Sequence, residues 1–345
     1  MFDIVYLLYD MLVSAFMFRR IYSIKCCGGY NMKWYDRYEQ QLEHIFNTAK
    51  SRIAAFPQPL HAAGLTYAEA FNPVKQDGGK DYICCLLPFW IKDSAGITDW
   101  QCERLALANV YGMLYFFIQD DVMDGSSTSS WKELLALGNL LILEMFNEFR
   151  GLFPSESPFW DYYNGYVSAW ADSVVNEGAE NYFMTDPLRT AGKAGPVKIA
   201  STGAFLLAGK QGLISNIEEA VDIILMTLQM SDDWADWRED LADGSYNGLL
   251  SMIAGALNSQ NPLTEELVEK AIHVKGCMMP YARIARDNHE KLEQLIPESI
   301  DLLGFHEYLW TQLSAIAESI DANRQRLLEG GFNYYLSSDS TNHLE

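Results

Sequence analysis

The chain has 345 residues, a formal net charge of −21 and six cysteines. That length is enough to bury a substantial single core. So acidic a balance excludes a nucleic-acid partner, which needs a basic footprint. Cys26, Cys27, Cys84, Cys85, Cys102 and Cys277 include two adjacent pairs, which is not a zinc spacing. Free thiols in a reducing, cytoplasmic compartment are the expectation.

Residues 1–18 are apolar and aromatic, interrupted by Asp3 and Asp10, and Arg19, Arg20 and Lys25 follow the run. That order is wrong for a secretory signal, and the run is short and charged for a span. It reads as an amphipathic segment that packs on the body or makes peripheral membrane contact. Residues 1–31 are taken as an apolar extension and 32–345 as one α-helical domain. From Trp34 onward helical periodicity dominates. Helices are expected over 34–56, from Thr98–Asp99 to Asp120 with Thr98 as N-cap, and over 131–149, 160–175, 196–208, 216–236, 264–287 and 306–328. Alternating Val-Ile-Thr-rich strands are missing. The expected fold is an all-α, single-domain helical bundle around a central cavity. Two stretches, 181–198 and 240–248, read as moving parts between helices. The first carries Arg189, Lys193 and Lys198; the second has Asp243-Gly244 and Asn247-Gly248 as turn signals.

Two acidic clusters stand out. Phe116-Phe117-Ile118-Gln119-Asp120-Asp121-Val122-Met123-Asp124 closes an apolar run with three carboxylates, and Asp120 and Asp124 share a helix face. The C-terminal end of a helix is electrostatically negative, so carboxylates there call for a cation. Leu228-Gln229-Met230-Ser231-Asp232-Asp233-Trp234-Ala235-Asp236-Trp237-Arg238-Glu239-Asp240 closes a second apolar run, with Asp232, Asp236 and Asp240 along one helical stripe. Facing each other, two such clusters would be intolerable without metals. Hard oxygen donors suit Mg²⁺, which usually shares its coordination with substrate phosphates. The inference is a trinuclear or similar Mg²⁺ site gripping a diphosphate.

At these residues the chain resembles the class I isoprenoid synthase superfamily, which includes trans-prenyl diphosphate synthases and class I terpene synthases. Asp120, Asp121 and Asp124 match the family's D-D-x-x-D motif. Leu228 to Asp236 is similar to the second prenyl diphosphate synthase motif, F-Q-x-x-D-D-x-x-D, with Leu228 in place of Phe. The same region has the spacing of the terpene-cyclase N-x-x-x-S-x-x-x-E triad, with Asp232, Asp236 and Asp240 at its positions but none of its residue types. Pro196 to Ser201 resembles the family's helix start with a diphosphate-binding lysine, here Lys198. The resemblance covers roughly residues 35 to 330.

The resemblance implies Asp120, Asp121, Asp124, Asp232, Asp233, Asp236 and Asp240 as Mg²⁺ ligands. It implies Arg189, Lys193, Lys198 and Arg238 as a cationic clamp on the diphosphate. Ionisation would leave an allylic carbocation to be kept from water, faced by Tyr115, Phe116, Phe89, Trp170 and Trp234, with Gln229 beside the second motif. A chain-elongating enzyme needs a second diphosphate pocket. Gly125-Ser126-Ser127-Thr128-Ser129-Ser130-Trp131 follows the first motif without arginine, and residues 57–90 offer only Lys75 and Lys80. That favours a terpene synthase acting on one C15 or C20 prenyl diphosphate. The alternative is a trans-prenyltransferase that joins an allylic diphosphate to isopentenyl diphosphate or another acceptor. The terpene-cyclase Arg-Tyr pair has only Arg324, Arg326, Tyr334 and Tyr335 as stand-ins. Homodimers are common among similar proteins.

Rival readings fare worse on residue grounds. An EF-hand loop from Asp120 fails at Val122 and Trp131. A di-iron bundle needs Glu-x-x-His, and no histidine here has Glu three residues before it. A non-catalytic helical scaffold remains a third reading.

Overall fold

A computed structural model describes residues 32–75, 78–123, 131–178, 181–257 and 262–330. Among them are thirteen α-helices and no strand, so the all-α class expected from periodicity holds. The helices are α1 Lys33–Asp36, α2 Glu39–Ile53, α3 Leu60–Ala70, α4 Tyr82–Ala95, α5 Asp99–Met123, α6 Trp131–Leu152, α7 Phe159–Val175, α8 Lys198–Leu207, α9 Ile214–Asp243, α10 Gly248–Leu257, α11 Glu265–His273, α12 Met278–Leu295 and α13 Ile300–Gly330. Short 3₁₀ segments span Pro187–Val197 and Gln211–Leu213. No helix among the described residues is long and apolar enough to cross a membrane. Residues 1–18, for which membrane contact is the alternative to packing on the body, lie outside the described residues, as do Cys26, Cys27, Tyr334 and Tyr335.

The chain divides into two compact units. The first takes residues 32–175, 191–222 and 295–305. Its centre is α5. Thr98 and Gln101 form a reciprocal capping box. The Gln101 N–H donates to Thr98 Oγ1 (3.3 Å), and the Thr98 N–H donates to Gln101 Oε1 (2.9 Å). From there α5 runs buried on nearly every face from Leu105 to Leu114 and packs on α2, α4, α6 and α8. Burial all round, rather than on one stripe, is what a core helix requires. Trp34 ties α1 to this core: its ring meets Tyr82, Trp90 and Phe305 edge-on, and Trp90 Nε1 donates to the Trp34 carbonyl (2.8 Å). Glu148 on α6 is fully buried between the guanidinium groups of Arg52 and Arg104.

The second unit takes residues 176–190, 223–294 and 306–330. Phe183, Met226, Met230, Trp237, Leu249 and Tyr281 contribute to its apolar core. The single helix expected over 264–287 is two. Thr264 caps α11, accepting from the Leu267 N–H (3.4 Å). The helix then stops because Gly276 takes the left-handed conformation at φ +72°, with the Cys277 N–H donating back to the Ala271 carbonyl (3.2 Å). A polar cluster crosses this unit. His306 Nε2 lies 2.9 Å from Thr227 Oγ1, His306 Nδ1 lies 3.1 Å from His289 Nδ1, and Asn288 Nδ2 donates to Thr227 Oγ1 (3.3 Å).

Candidate functional site

In the first unit, Asp120 and Asp121 lie on the last turn of α5, which ends at Met123. Asp124 falls outside the described residues. Tyr67 Oη on α3 donates to Asp121 Oδ2 (2.8 Å). Tyr67 is itself placed by an aromatic ladder, Tyr67 on Phe71 (5.0 Å) and Phe71 on Phe117 (4.9 Å), which sets α3 against the end of α5. A neutral phenol beside a carboxylate orients it without cancelling its charge. Nothing in the sequence points to Tyr67, because the contact joins residues 54 apart.

Of the expected aromatic faces, Phe116 meets Trp170 edge-on at 4.9 Å and Tyr115 at 5.0 Å, all three partly exposed. Phe89 sits instead in the core of this unit, packed on Tyr38 at 5.7 Å. Lys193 lies in the 3₁₀ segment Pro187–Val197, where a moving loop was expected. Lys198 opens α8. Its ammonium is held by both oxygens of Asp222, at 2.7 and 2.9 Å, and lies 5.3 Å from the Tyr166 ring centroid.

In the second unit, Asp232, Asp233, Asp236 and Asp240 all lie on α9, which continues to Asp243. Asp232 is 5% exposed and Asp233 3%. Both oxygens of Asp233 are in use. Oδ1 accepts from Gln229 Nε2 (3.0 Å), and Oδ2 accepts from the Gly248 N–H (2.8 Å) and the Tyr281 hydroxyl (3.4 Å). Burial and the Asp233 charge push the Tyr281 phenol well above its ordinary range, so it stays a donor. Asp233 therefore caps α10. Asn247 completes the cap: its Nδ2 donates to the Asp233 carbonyl and to Asp240 Oδ2 (both 2.8 Å), and its Oδ1 accepts from the Leu250 N–H (3.0 Å). The stretch 240–248, read from its turn signals as a moving part, is thus pinned at Asn247 and Gly248.

Arg189 stacks on Tyr182 at 4.8 Å, and Tyr182 stacks on Tyr246 at 4.2 Å and 16°. The guanidinium carbon thus sits over a ring that is itself held by a second ring. Trp234 packs partly buried against the apolar core of this unit. Arg238 is exposed and tied to α11 by Glu265 (3.0 Å) and Glu269 (2.8 Å), which gives it a surface ion-pair role.

The donor chemistry suits a hard cation. The candidate ligands are carboxylate oxygens, with no thiolate or imidazole among them. Among the described residues no three His, Cys, Asp or Glu side chains form a ready-made cation cage. Cys84, Cys85 and Cys102 are buried and Cys277 partly so, all as free thiols, and burial raises each thiol above its usual range. Compared with known proteins, the chain matches no protein-family model, no curated protein and no solved structure at a significant level.

Proposed function

We propose that this protein is a class I terpene synthase of the isoprenoid synthase fold, which ionises a C15 or C20 allylic prenyl diphosphate. The observation that carries this reading is on α9. Asp232, Asp236 and Asp240 recur at four-residue spacing along one helix, with Asp232 buried, where a carboxylate is costly unless compensated. Asp120, Asp121 and Asp124, with Asp232, Asp236 and Asp240, would hold Mg²⁺. When bound, Mg²⁺ supplies positive charge that weakens the bond between the allylic carbon and the diphosphate oxygen. Asp233 keeps α9 and the start of α10 in register, and Tyr67 fixes the Asp121 carboxylate. Arg189, over the Tyr182 ring, pairs with phosphate oxygens, with Lys193 and Lys198 adding point charges. Phe116, Tyr115 and Trp170 offer ring faces to an allylic cation.

A second reading, a trans-prenyltransferase, is favoured by one feature. Gln229 reaches Asp233 within the Q-x-x-D-D-x-x-D pattern of chain-elongating enzymes. One assay separates the two. The purified chain is given Mg²⁺ and geranyl, farnesyl or geranylgeranyl diphosphate, each alone and each with isopentenyl diphosphate, with products read by gas chromatography and mass spectrometry. A hydrocarbon or alcohol from one substrate alone supports the synthase. A longer diphosphate that forms only with isopentenyl diphosphate supports the transferase. No product in any reaction, with Mg²⁺ present and the protein folded, rejects the synthase and elongation with isopentenyl diphosphate, and leaves a transferase with another acceptor or the non-catalytic scaffold. On this reading Asp121→Ala and Asp232→Ala each abolish turnover, and a folded, fully active variant of either removes that motif from the site.

A further inference from the structure

We propose that Asp222 is a positioning residue for Lys198, a built-in counter-ion that an incoming diphosphate displaces. This rests on the prenyl diphosphate reading given above. The two oxygens of Asp222 grip the Lys198 ammonium at 2.7 and 2.9 Å. Both side chains keep a path to solvent, with 16% of Lys198 and 25% of Asp222 exposed. Lys198 is the first residue of α8, where the positive end of the helix dipole disfavours a cation, so the pair also relieves a local conflict.

Asp222 is nevertheless a strained partner. It sits one turn after Glu218 on α9, with Glu219 between them. Burial and the charges of Glu218 and Glu219 hold its carboxyl above the usual carboxylate range, even though Lys198 pulls the other way. Glu218 is occupied separately: it accepts from the Tyr166 hydroxyl, which also meets Thr202 Oγ1 (both 2.5 Å). That anchors the Tyr166 ring beneath the Lys198 ammonium, 5.3 Å away. The lysine has a fixed aromatic platform that does not depend on Asp222. A single carboxylate crowded by two others is a weaker partner than a diphosphate carrying several charges.

The test is a thermodynamic cycle on the full chain, read by calorimetric titration with inorganic pyrophosphate at fixed Mg²⁺. Asp222→Asn keeps the shape and removes the competing charge. It should bind pyrophosphate about two- to five-fold tighter than wild type, the range expected for one partly exposed ion pair. Lys198→Met should bind more weakly, and the double variant should match Lys198→Met. A merely structural role would move melting temperature and not this coupling. Unchanged or weaker binding by folded Asp222→Asn overturns the proposal. So does an equal gain in the Lys198→Met background, which would signal only a general loss of negative field. Wild-type protein gives a check that needs no variant. Acetic anhydride labelling of Lys198, read by peptide mass spectrometry, should fall several-fold when pyrophosphate is added, and unchanged labelling overturns the proposal. Turnover of prenyl diphosphates is scored separately. Lys198-dependent tightening without turnover removes the catalytic reading and keeps the counter-ion. Turnover without tightening does the reverse.

Discussion

Gly248→Ala tests the cap that joins α9 to α10. A Cβ at Gly248 would lie 2.7 Å from Phe183 Cδ2 and 2.8 Å from Asp233 Oδ2. Neither neighbour can yield easily. Phe183 is 2% exposed in the core, and Asp233 is 3% exposed and held by Gln229 and Tyr281. Overpacking at such a site costs about 1–3 kcal/mol. Displacing the Asp233 carboxylate also weakens its bond from the Gly248 N–H, worth about 1.5–3 kcal/mol for a charged acceptor. Helix propensity returns about 0.5–1 kcal/mol on replacing Gly with Ala. The net is a loss of about 1.5–5.5 kcal/mol, or a fall of about 2–8 °C in melting temperature for a chain of this length. Gly255→Ala, on the same helix, is the control. Its nearest non-local heavy atom is Met184 Cγ at 3.8 Å, an ordinary contact, so that variant should be neutral or slightly stabilising. Circular dichroism melts of both variants measure the difference. Equal melting temperatures would refute the claim that only glycine fits at 248.

Other outcomes follow from the same physics. Glu148→Ala leaves Arg52 and Arg104 facing each other with their shared buried carboxylate gone, and should cost about 3–5 kcal/mol in chemical denaturation; a loss under about 1 kcal/mol would contradict that burial. On the proposed prenyl diphosphate reading, Tyr67→Phe removes the donor to Asp121 and should lower turnover about ten-fold with little change in melting temperature; full activity would show that the Asp121 orientation does not matter. Burial, aided by the neighbouring His289, lowers the His306 imidazole from 6.5 to about 3. The unfolded chain then takes up that proton first, so stability is held above pH 6.5 and lost as pH falls towards about 3, on the order of 5 kcal/mol in all. His306→Gln should flatten the denaturation midpoint across that window, and an unchanged slope would rule out His306 as its source.

The helices readable from sequence were those with a cap and a clear stripe. Thr98 marked the start of α5 within a residue, and the run into Asp120 marked its end within a turn. The helices that were missed lack that contrast. In α4 eleven of fourteen residues are buried and Pro88 lies inside, so neither a polar face nor an uninterrupted pattern announces it. α3 is rich in small residues and only weakly amphipathic. The 264–287 pattern continued past a break that Gly276 imposes through its backbone, a signal that isolated glycines rarely give. In the candidate site the acidic residues were legible because their spacing is local to one helix. Tyr67, Asp222, Tyr166 and Tyr281 were not, because each acts across helices distant in the chain, and one sequence holds no record of such pairings. Asn247 was legible as a turn residue, but its work as a cap depends on Asp240 and Asp233 lying about one and about three turns before α9 ends at Asp243.

The Thr227–His306–His289 cluster has a direction set by where the Thr227 hydroxyl sends its hydrogen. The Thr227 hydroxyl gives its hydrogen to the Ile223 carbonyl (3.1 Å), so its oxygen can only accept from His306 Nε2. His306 is then the Nε2–H tautomer, and its Nδ1 is left as an acceptor. His289 must therefore carry its hydrogen on Nδ1, the less common tautomer of a free imidazole, leaving Nε2 as the basic atom of the pair. A proton arriving at His289 Nε2 leaves every bond in the row intact, whereas one arriving at His306 Nδ1 breaks the link between α12 and α13. Acid should thus charge the two rings in a fixed order, His289 first, and the ¹⁵N chemical shifts of the two imidazoles would display opposite tautomers well before either ring titrates.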